Sequence, residues 1–291
     1  MNRSALAATA AAIGLLFAGC SSPEAKLEAA NALRHQGRAA EALSAYREIL
    51  GGLGDGTIPK WETGVRLKAL RYAADVSYLD LGDYGGAIGY YRRIVSLYPG
   101  TEEAWKARAA IGDIYAQRLG DRQAAIAQYA AVAGGDAKEA PRFQLLVARQ
   151  YLELKNYEQA RTEARLLLER WPQGPEADEA QLLTAQAWAL EDRPDEALGA
   201  FMAAAERRPR PEIAALALEG AAQIHARAGR LDRAIELYAQ AMPGHPNPEA
   251  LRTSIDMVRE RREAARTVTP GDRDAALDRN VRSRNRNKEI P

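Results

Sequence analysis

The sequence predicts an all-α fold, an α-solenoid (a stacked superhelix) of about six helix-turn-helix repeats closed by a C-terminal capping helix. Three observations predict it. Alanine and leucine are abundant while aromatics are only 7% of the 291 residues, a bias toward close-packed helices rather than sheets. A short motif recurs in six copies at near-constant spacing. Glycine and proline stand where helices of that register would end.

In chain order, the first element reads as an address. Met1-Asn2-Arg3 gives a positive start, and Ala5 to Phe17 is an uncharged, mostly apolar stretch. It is too short for a transmembrane helix, which needs about 20 residues. A positive start, an apolar middle and a small-residue exit make residues 1–19 a secretory signal peptide. The exit is Leu16-Phe17-Ala18-Gly19-Cys20, followed by Ser21. It resembles the lipobox of bacterial lipoproteins, with Phe17 where that family usually carries leucine. The resemblance implies a lipid on Cys20 and a lipidated mature N-terminus over 20–22. Ser21 in place of Asp implies the outer membrane, periplasmic face. No cofactor is expected beyond the covalent lipid on Cys20.

The body follows. Leu81-Gly82-Asp83-Tyr84-Gly85-Gly86-Ala87-Ile88, Leu119-Gly120-Asp121-Arg122-Gln123-Ala124-Ala125-Ile126 and Ala228-Gly229-Arg230-Leu231-Asp232-Arg233-Ala234-Ile235 share one frame: a Gly, four residues, then Ala and an aliphatic residue. Four residues past the Ala comes a ring in most copies: Tyr46, Tyr91, Tyr129, Phe201 and Tyr238, with Ala164 in one copy. The marker alanines are Ala42, Ala87, Ala125, Ala160, Ala197 and Ala234, spaced 45, 38, 35, 37 and 37. A small residue early in a second helix lets two helices approach, and a ring one turn later fills the space beside it. Gly37, Gly82, Gly120 and Gly229 suit the left-handed turn that ends the first helix, and Asp83 and Asp121 are N-cap residues for the second. Pro99, Pro172, Pro209 and Pro246 stop the second helix. Tyr78, Tyr151 and Trp188 occupy a large position of the first helix, and Asp75, Asp113, Ala148 and Ala185 its small position.

These residues together resemble the tetratricopeptide repeat, a helix-turn-helix of 34 residues. The resemblance covers 23–248, with repeats starting near 23, 68, 106, 141, 178 and 215. Gly51 to Pro59 lengthens the first spacing and reads as a loop. No strand precedes it and no Gly-Lys-Ser/Thr follows, so it is not a phosphate loop. Over 249–269, Leu251, Ile255 and Val258 share one helical face opposite charged residues, the pattern of a capping helix. Residues 270–291 lose periodicity and form an Arg-rich tail expected to be disordered.

Composition excludes several functions. With 40 basic and 39 acidic side chains the net charge is +1, so no nucleic-acid partner is expected. One Cys and three His (His35, His225, His245) lack metal-ligand spacing, so no metal is expected. His225 falls where other copies carry Tyr78 or Trp188, which reads as packing. No hydrolase, zinc-protease, P-loop or dinucleotide motif is present, so the chain is not read as an enzyme. Binding is the better reading. First helices line the concave face of such a stack. The repeat frame puts Tyr72, Val76, Leu79, Ile114, Arg118, Arg142, Leu145, Arg149, Leu182, Gln186 and Arg227 there. Apolar anchors with several Arg suit a protein or peptide partner in the cell envelope. The central first-helix position reads Val76, Ile114, Arg149, Gln186 and Gln223, without the recurring Asn of grooves that clamp a C-terminal carboxylate.

Tyr98-Pro99-Gly100-Thr101-Glu102-Glu103-Ala104 and Trp171-Pro172-Gln173-Gly174-Pro175-Glu176-Ala177 share the form aromatic-Pro-x-small-x-x-Ala. Such junctions are similar to those of the outer-membrane-protein assembly lipoprotein of the BamD type, and to the periplasmic repeat protein of the Tol-Pal system. The first resemblance implies a scaffold for β-barrel precursors. The second implies coordination of constriction with peptidoglycan synthesis. A pilotin-like subunit of a secretion or pilus system is a third reading.

Overall fold

Antiparallel helix pairs make up the chain, and each pair starts and stops on the residues that punctuate the sequence. The computed structural model describes residues 22–52, 60–207 and 210–267. Residues 1–19, Cys20, the stretch 53–59 and the tail 270–291 lie outside them. Among the described residues there are thirteen α-helices and no strand. The chain divides into two compact units after Phe143.

In the N-terminal unit the pairs are α1 (Pro23–His35) with α2 (Ala39–Gly52), α3 (Lys60–Asp75) with α4 (Tyr84–Leu97), and α5 (Glu102–Ile114) with α6 (Arg122–Ala133). The first turn of α7 (Ala140–Glu153) packs here too, with Phe143 against Tyr129 at 5.8 Å between ring centres. Ser22, Asp83, Thr101 and Asp121 each accept a backbone N–H three residues on, so four helices begin on a side-chain cap. In the C-terminal unit the rest of α7 is followed by α8 (Tyr157–Arg170), α9 (Pro175–Leu190), α10 (Pro194–Glu206), α11 (Pro211–Arg227), α12 (Leu231–Ala241) and α13 (Pro248–Thr267). Proline leads α9, α10 and α11, where its missing N–H costs nothing. Thr101, Pro175 and Pro211 explain why three first helices begin at 102, 175 and 211, ahead of the repeat starts near 106, 178 and 215 that the marker register gives; α3 and α7 begin at 60 and 140 against 68 and 141. The helix starts at its cap, not at its first buried residue. Gly51 and Gly52 belong to α2 rather than to a loop.

All six marker alanines are fully buried. So are the rings one turn later, with Tyr46 at 0% exposure and Tyr238 at 4%. The turn five residues before each marker is left-handed in all six copies: Gly37, Gly82, Gly120 and Gly229, and also Lys155 (φ 58°) and Asp192 (φ 59°).

Two first helices carry an extra residue. α3 and α5 end in π turns, Val76–Asp80 and Tyr115–Leu119. In the other four copies the turn closes five residues back, as in Arg38 N–H to Leu33 O at 3.0 Å. In these two it closes six back, Asp83 N–H to Ser77 O at 2.7 Å and Asp121 N–H to Tyr115 O at 2.9 Å. A π turn absorbs one added residue without breaking the helix. It also rotates everything before it by one position relative to the marker. The small first-helix position in these copies is therefore Ala74 and Gly112, not Asp75 and Asp113. With Ala30, Ala148, Ala185 and Ala222 the row is small and buried throughout. At Gly112 a Cβ would lie 2.4 Å from the Tyr129 ring, so glycine is required there.

α13 covers the end of the C-terminal unit by burying Leu251, Ile255 and Val258. Arg262 pairs with Asp232 of α12 at 3.0 Å. His245, on the connection into α13, is 2.9 Å from Glu219 of α11 through Nε2, and its Nδ1 accepts the Asn247 N–H at 3.0 Å.

Candidate functional site

Each unit carries a groove lined by first helices. In the C-terminal unit it runs over α7, α9 and α11 and holds about 500 Å³. Half-buried Leu152 and Leu216 supply its accessible apolar surface, backed by Leu182, Leu183 and Ile213, which are themselves core at 6%, 3% and 6% exposure. These leucines follow from helical periodicity, which turns one stripe of each first helix toward its neighbours. Glu179 sits at the rim between two guanidiniums, 2.5 Å from Arg149 Nη2 and 2.7 Å from Arg210 Nη2. Arg149 and Arg210 remain about half exposed. The groove thus combines an apolar base with a charged rim whose cations reach solvent, the composition that holds an extended or helical segment.

The groove of the N-terminal unit lies over α3 and α5 with α4 beneath, and holds about 370 Å³. Leu67, Ile94, Ala107 and Ala110 are its apolar wall, Lys68, Arg71 and Lys106 its cations. Asp75 lies in it and accepts the Tyr91 hydroxyl at 2.7 Å. Burial, then the Asp75 carboxylate, pushes the Tyr91 hydroxyl above its ordinary range, so it stays a donor.

The sequence-derived residues divide according to the π turns. Arg149, Leu182 and Gln186, from repeats without one, come together in the C-terminal groove. Val76 and Ile114, from the two repeats with one, are fully buried and cannot meet a partner. Their frame was one residue out, and the corresponding groove-row residues are Asp75 and Asp113. Leu145 is also core, at 5% exposure, because it faces α8 and α9 in a cluster with Ala164 and Leu183. Leu79 and Arg118 are exposed on the π turns, outside the groove of their unit. Tyr72 is half-buried beside Asn31, Arg34, His35 and Asp80, and packs 6.0 Å from Tyr46. Arg142 is exposed with its guanidinium 5.7 Å from the Phe143 ring, and Arg227 is exposed at the end of α11; neither lines a groove described here. Glu179, Arg210, Ile213 and Leu216 were missed. Glu179 and Leu216 stand two turns before the central Gln186 and Gln223, whereas Arg210 and Ile213 lie at the start of α11, readable only once that start is known.

Of the histidines, His225 receives Arg230 Nε at 2.7 Å on Nδ1, and burial together with the Arg230 and Arg233 charges lowers its affinity for a proton. Among the described residues no cluster of three His, Cys, Asp or Glu side chains has the geometry to hold a metal. No helix among them is long and apolar enough to cross a membrane.

Two family models, both described as tetratricopeptide repeat, match the sequence. One takes residues 67–111. The other takes 1–56, 114–175, 145–212 and 192–247, more than half of the chain. No curated protein matches it. Among solved structures, the C-terminal part of a repeat-containing protein from Cytophaga hutchinsonii is 15% identical with a TM-score of 0.51, over 75% of this chain and 78% of that one. A tetratricopeptide repeat protein from Parabacteroides merdae is 17% identical with a TM-score of 0.43, over 83% and 86%. PilW, a type IV pilus biogenesis factor, is 17% identical with a TM-score of 0.49, over 80% and 98%. At such identities the likeness is one of fold. Six buried marker alanines, a small first-helix row facing them, and a repeat signature matched over more than half of the length make this chain a member of the tetratricopeptide-repeat family.

Proposed function

We propose that the chain is a non-catalytic scaffold that holds a segment of a protein partner in its first-helix grooves. The observation that carries this reading is the C-terminal groove, where Arg149 and Arg210 flank Glu179 above an apolar base. A partner's apolar side chains would supply the buried area, and the two guanidiniums would grip its carboxylates or backbone carbonyls. Arg149→Glu with Arg210→Glu is expected to release the partner while leaving the helical circular dichroism and melting temperature nearly unchanged. Unchanged partner binding would remove the groove from the account.

The place of action in this reading is the periplasmic face of the outer membrane, through the lipid on Cys20. The lipobox resemblance supports it. Two or three acyl chains anchor stably where one alone is marginal. Cys20→Ala should move the protein to the soluble envelope fraction, and its retention with membranes would end the anchor proposal.

The process we favour is outer-membrane protein assembly, on the likeness of the Tyr98 and Trp171 junctions to those of the assembly lipoprotein. Crosslinking in the native host with mass spectrometry of the captured proteins tests it. Enrichment of the β-barrel insertion machinery is the expected result. Enrichment of peptidoglycan synthases, Tol-Pal components or a secretin would assign the scaffold to another envelope machine.

A further inference from the structure

The π turns of α3 and α5 do more than shift a register. They place a surface at the edge of the N-terminal unit, outside its groove. Leu79 on the first turn and Leu81 just after it are 64% and 41% exposed, and Leu119 on the second is 49% exposed. Half-buried Tyr78 lies beside them, 6.0 Å from Tyr84. The two turns touch: the Arg118 guanidinium carbon is 5.7 Å from the Tyr78 ring centre and its Nε is 3.4 Å from the Tyr78 hydroxyl. A second guanidinium, Arg92, donates to the hydroxyl of Tyr115 at 2.9 Å, at the start of the same π turn as Arg118.

The two cations here are not paired with the acids of the same turns. The acids of these turns are engaged elsewhere: Asp80 with Arg34 at 2.7 Å, Asp83 on the Gly86 N–H and Asp121 on the Ala124 N–H, both at 2.9 Å. Arg92 and Arg118 rest on phenol oxygens and form no ion pair with a described residue. A tyrosine hydroxyl fixes a guanidinium without neutralising it, so both cations are held in place with their charge available. Exposed leucines and a tyrosine around fixed arginines have the composition of an interface core and its anchors.

We infer that this π-turn edge is a second docking surface, whose occupant is a protein segment carrying a carboxylate next to a large apolar side chain. The carboxylate pairs with Arg118, and the apolar side chain packs on Leu81 and Leu119. Charge complementarity selects that occupant, since Arg92 and Arg118 have no carboxylate partner among the described residues, whereas Asp80 is paired with Arg34 and Asp83 and Asp121 face the positive ends of α4 and α6.

The test is site-specific photocrosslinking of the full chain in its host. Benzoylphenylalanine replaces Leu119, or Leu166 as an exposed control on α8. The expected result is a product at position 119 well above the control, mapped by mass spectrometry to a segment with Asp or Glu beside a large apolar residue. Arg118→Glu should cut its yield at least tenfold, and changing the mapped carboxylate to Lys should restore it. Arg149→Glu with Arg210→Glu should leave it intact, which separates this surface from the groove. The inference is overturned by a yield no higher than the control, or by a mapped segment without a carboxylate. A product with lipid or with a second copy of this chain, or a yield indifferent to Arg118→Glu, overturns it as well.

Discussion

The hydroxyl of Tyr129 donates to Asp113 Oδ1 at 2.6 Å, joining the second helix of the third repeat to its first. The same bond joins Tyr91 to Asp75 at 2.7 Å and Tyr46 to Asn31 at 2.5 Å. Where the hydroxyl is absent the short acceptor is absent too: Ala164 faces a repeat with Arg149 at that position, and Phe201 one with Gln186. A buried hydroxyl demands an acceptor, and these first helices supply one. Tyr129→Phe should cost about 1 kcal/mol, because one bond is lost while packing is kept and the part-buried Asp113 carboxylate can turn to water. Asp113→Ala should cost more, about 1 to 3 kcal/mol, because the hydroxyl is stranded. The double variant should cost less than the sum. Urea unfolding of the four proteins measures the coupling, and simple additivity would show that the bond contributes nothing.

The same tyrosines set the response to alkali. Burial first, then the paired carboxylate, raises the hydroxyls of Tyr91 and Tyr129 above their ordinary range. Burial alone leads the rise at Tyr46 and Tyr238. Ordinary tyrosine ionises near pH 10. Above about that pH the unfolded chain has lost these protons while the folded chain keeps them, so fewer protons are bound in the unfolded state and stability falls as pH rises. The urea midpoint should drop progressively above about pH 10, and Tyr91→Phe with Tyr129→Phe should flatten the drop. Equal slopes in the variant and the parent would locate the alkaline sensitivity elsewhere.

Lys155 and Asp192 take the left-handed conformation that four other copies give to glycine. A side chain costs about 1 to 2 kcal/mol there through its Cβ, partly offset by the greater freedom glycine has when unfolded. Lys155→Gly and Asp192→Gly should each stabilise by about 0.5 to 1 kcal/mol. Gly82→Ala should destabilise by a similar amount, with no clash to blame, since nothing lies within 4 Å of its Cβ position. Thermal melts of the three variants check the sign; a loss of stability in both glycine variants would contradict the account.

Helix pairing was legible because it rests on marker alanines repeated six times and on rings that follow five of them. The first-helix face was legible in only some copies. Arg149, Leu182 and Gln186 come together in a groove, whereas Val76 and Ile114 are core, and the difference is one added residue in each of α3 and α5. Counting back from Ala87 and Ala125 crosses that residue unseen, because a π turn has no composition of its own. The clue lay in Asp75 and Asp113. Two carboxylates at a position that should be small and buried made a conflict, which a shift of one residue resolves by putting Ala74 and Gly112 there. The same shift makes the central row Asn31, Asp75 and Asp113 in the N-terminal unit, and Arg149, Gln186 and Gln223 in the C-terminal one. Arg210 and Ile213 were out of reach for another reason: they precede the repeat start near 215 that the marker register gives.

Ser77 shows what the added residue does to packing. It lies in the first turn of the π segment, fully buried, and its Oγ has no hydrogen-bond partner among the described residues. Its carbonyl closes the π turn by accepting the Asp83 N–H, so the backbone is satisfied and only the side chain is stranded. A buried hydroxyl without a partner costs about 1 to 3 kcal/mol relative to solvent, and alanine has no such group. Alanine also favours helix over serine by a few tenths of a kcal/mol. Ser77→Ala should therefore raise stability by about 1 kcal/mol, read as a higher urea midpoint at unchanged slope. Ser77→Val should lower it, because the position is closed on all sides and has no room for a branched side chain. A destabilised alanine variant would mean that the hydroxyl is bonded in solution, and hydrogen exchange at the Asp83 amide would then show whether the π turn opens with it.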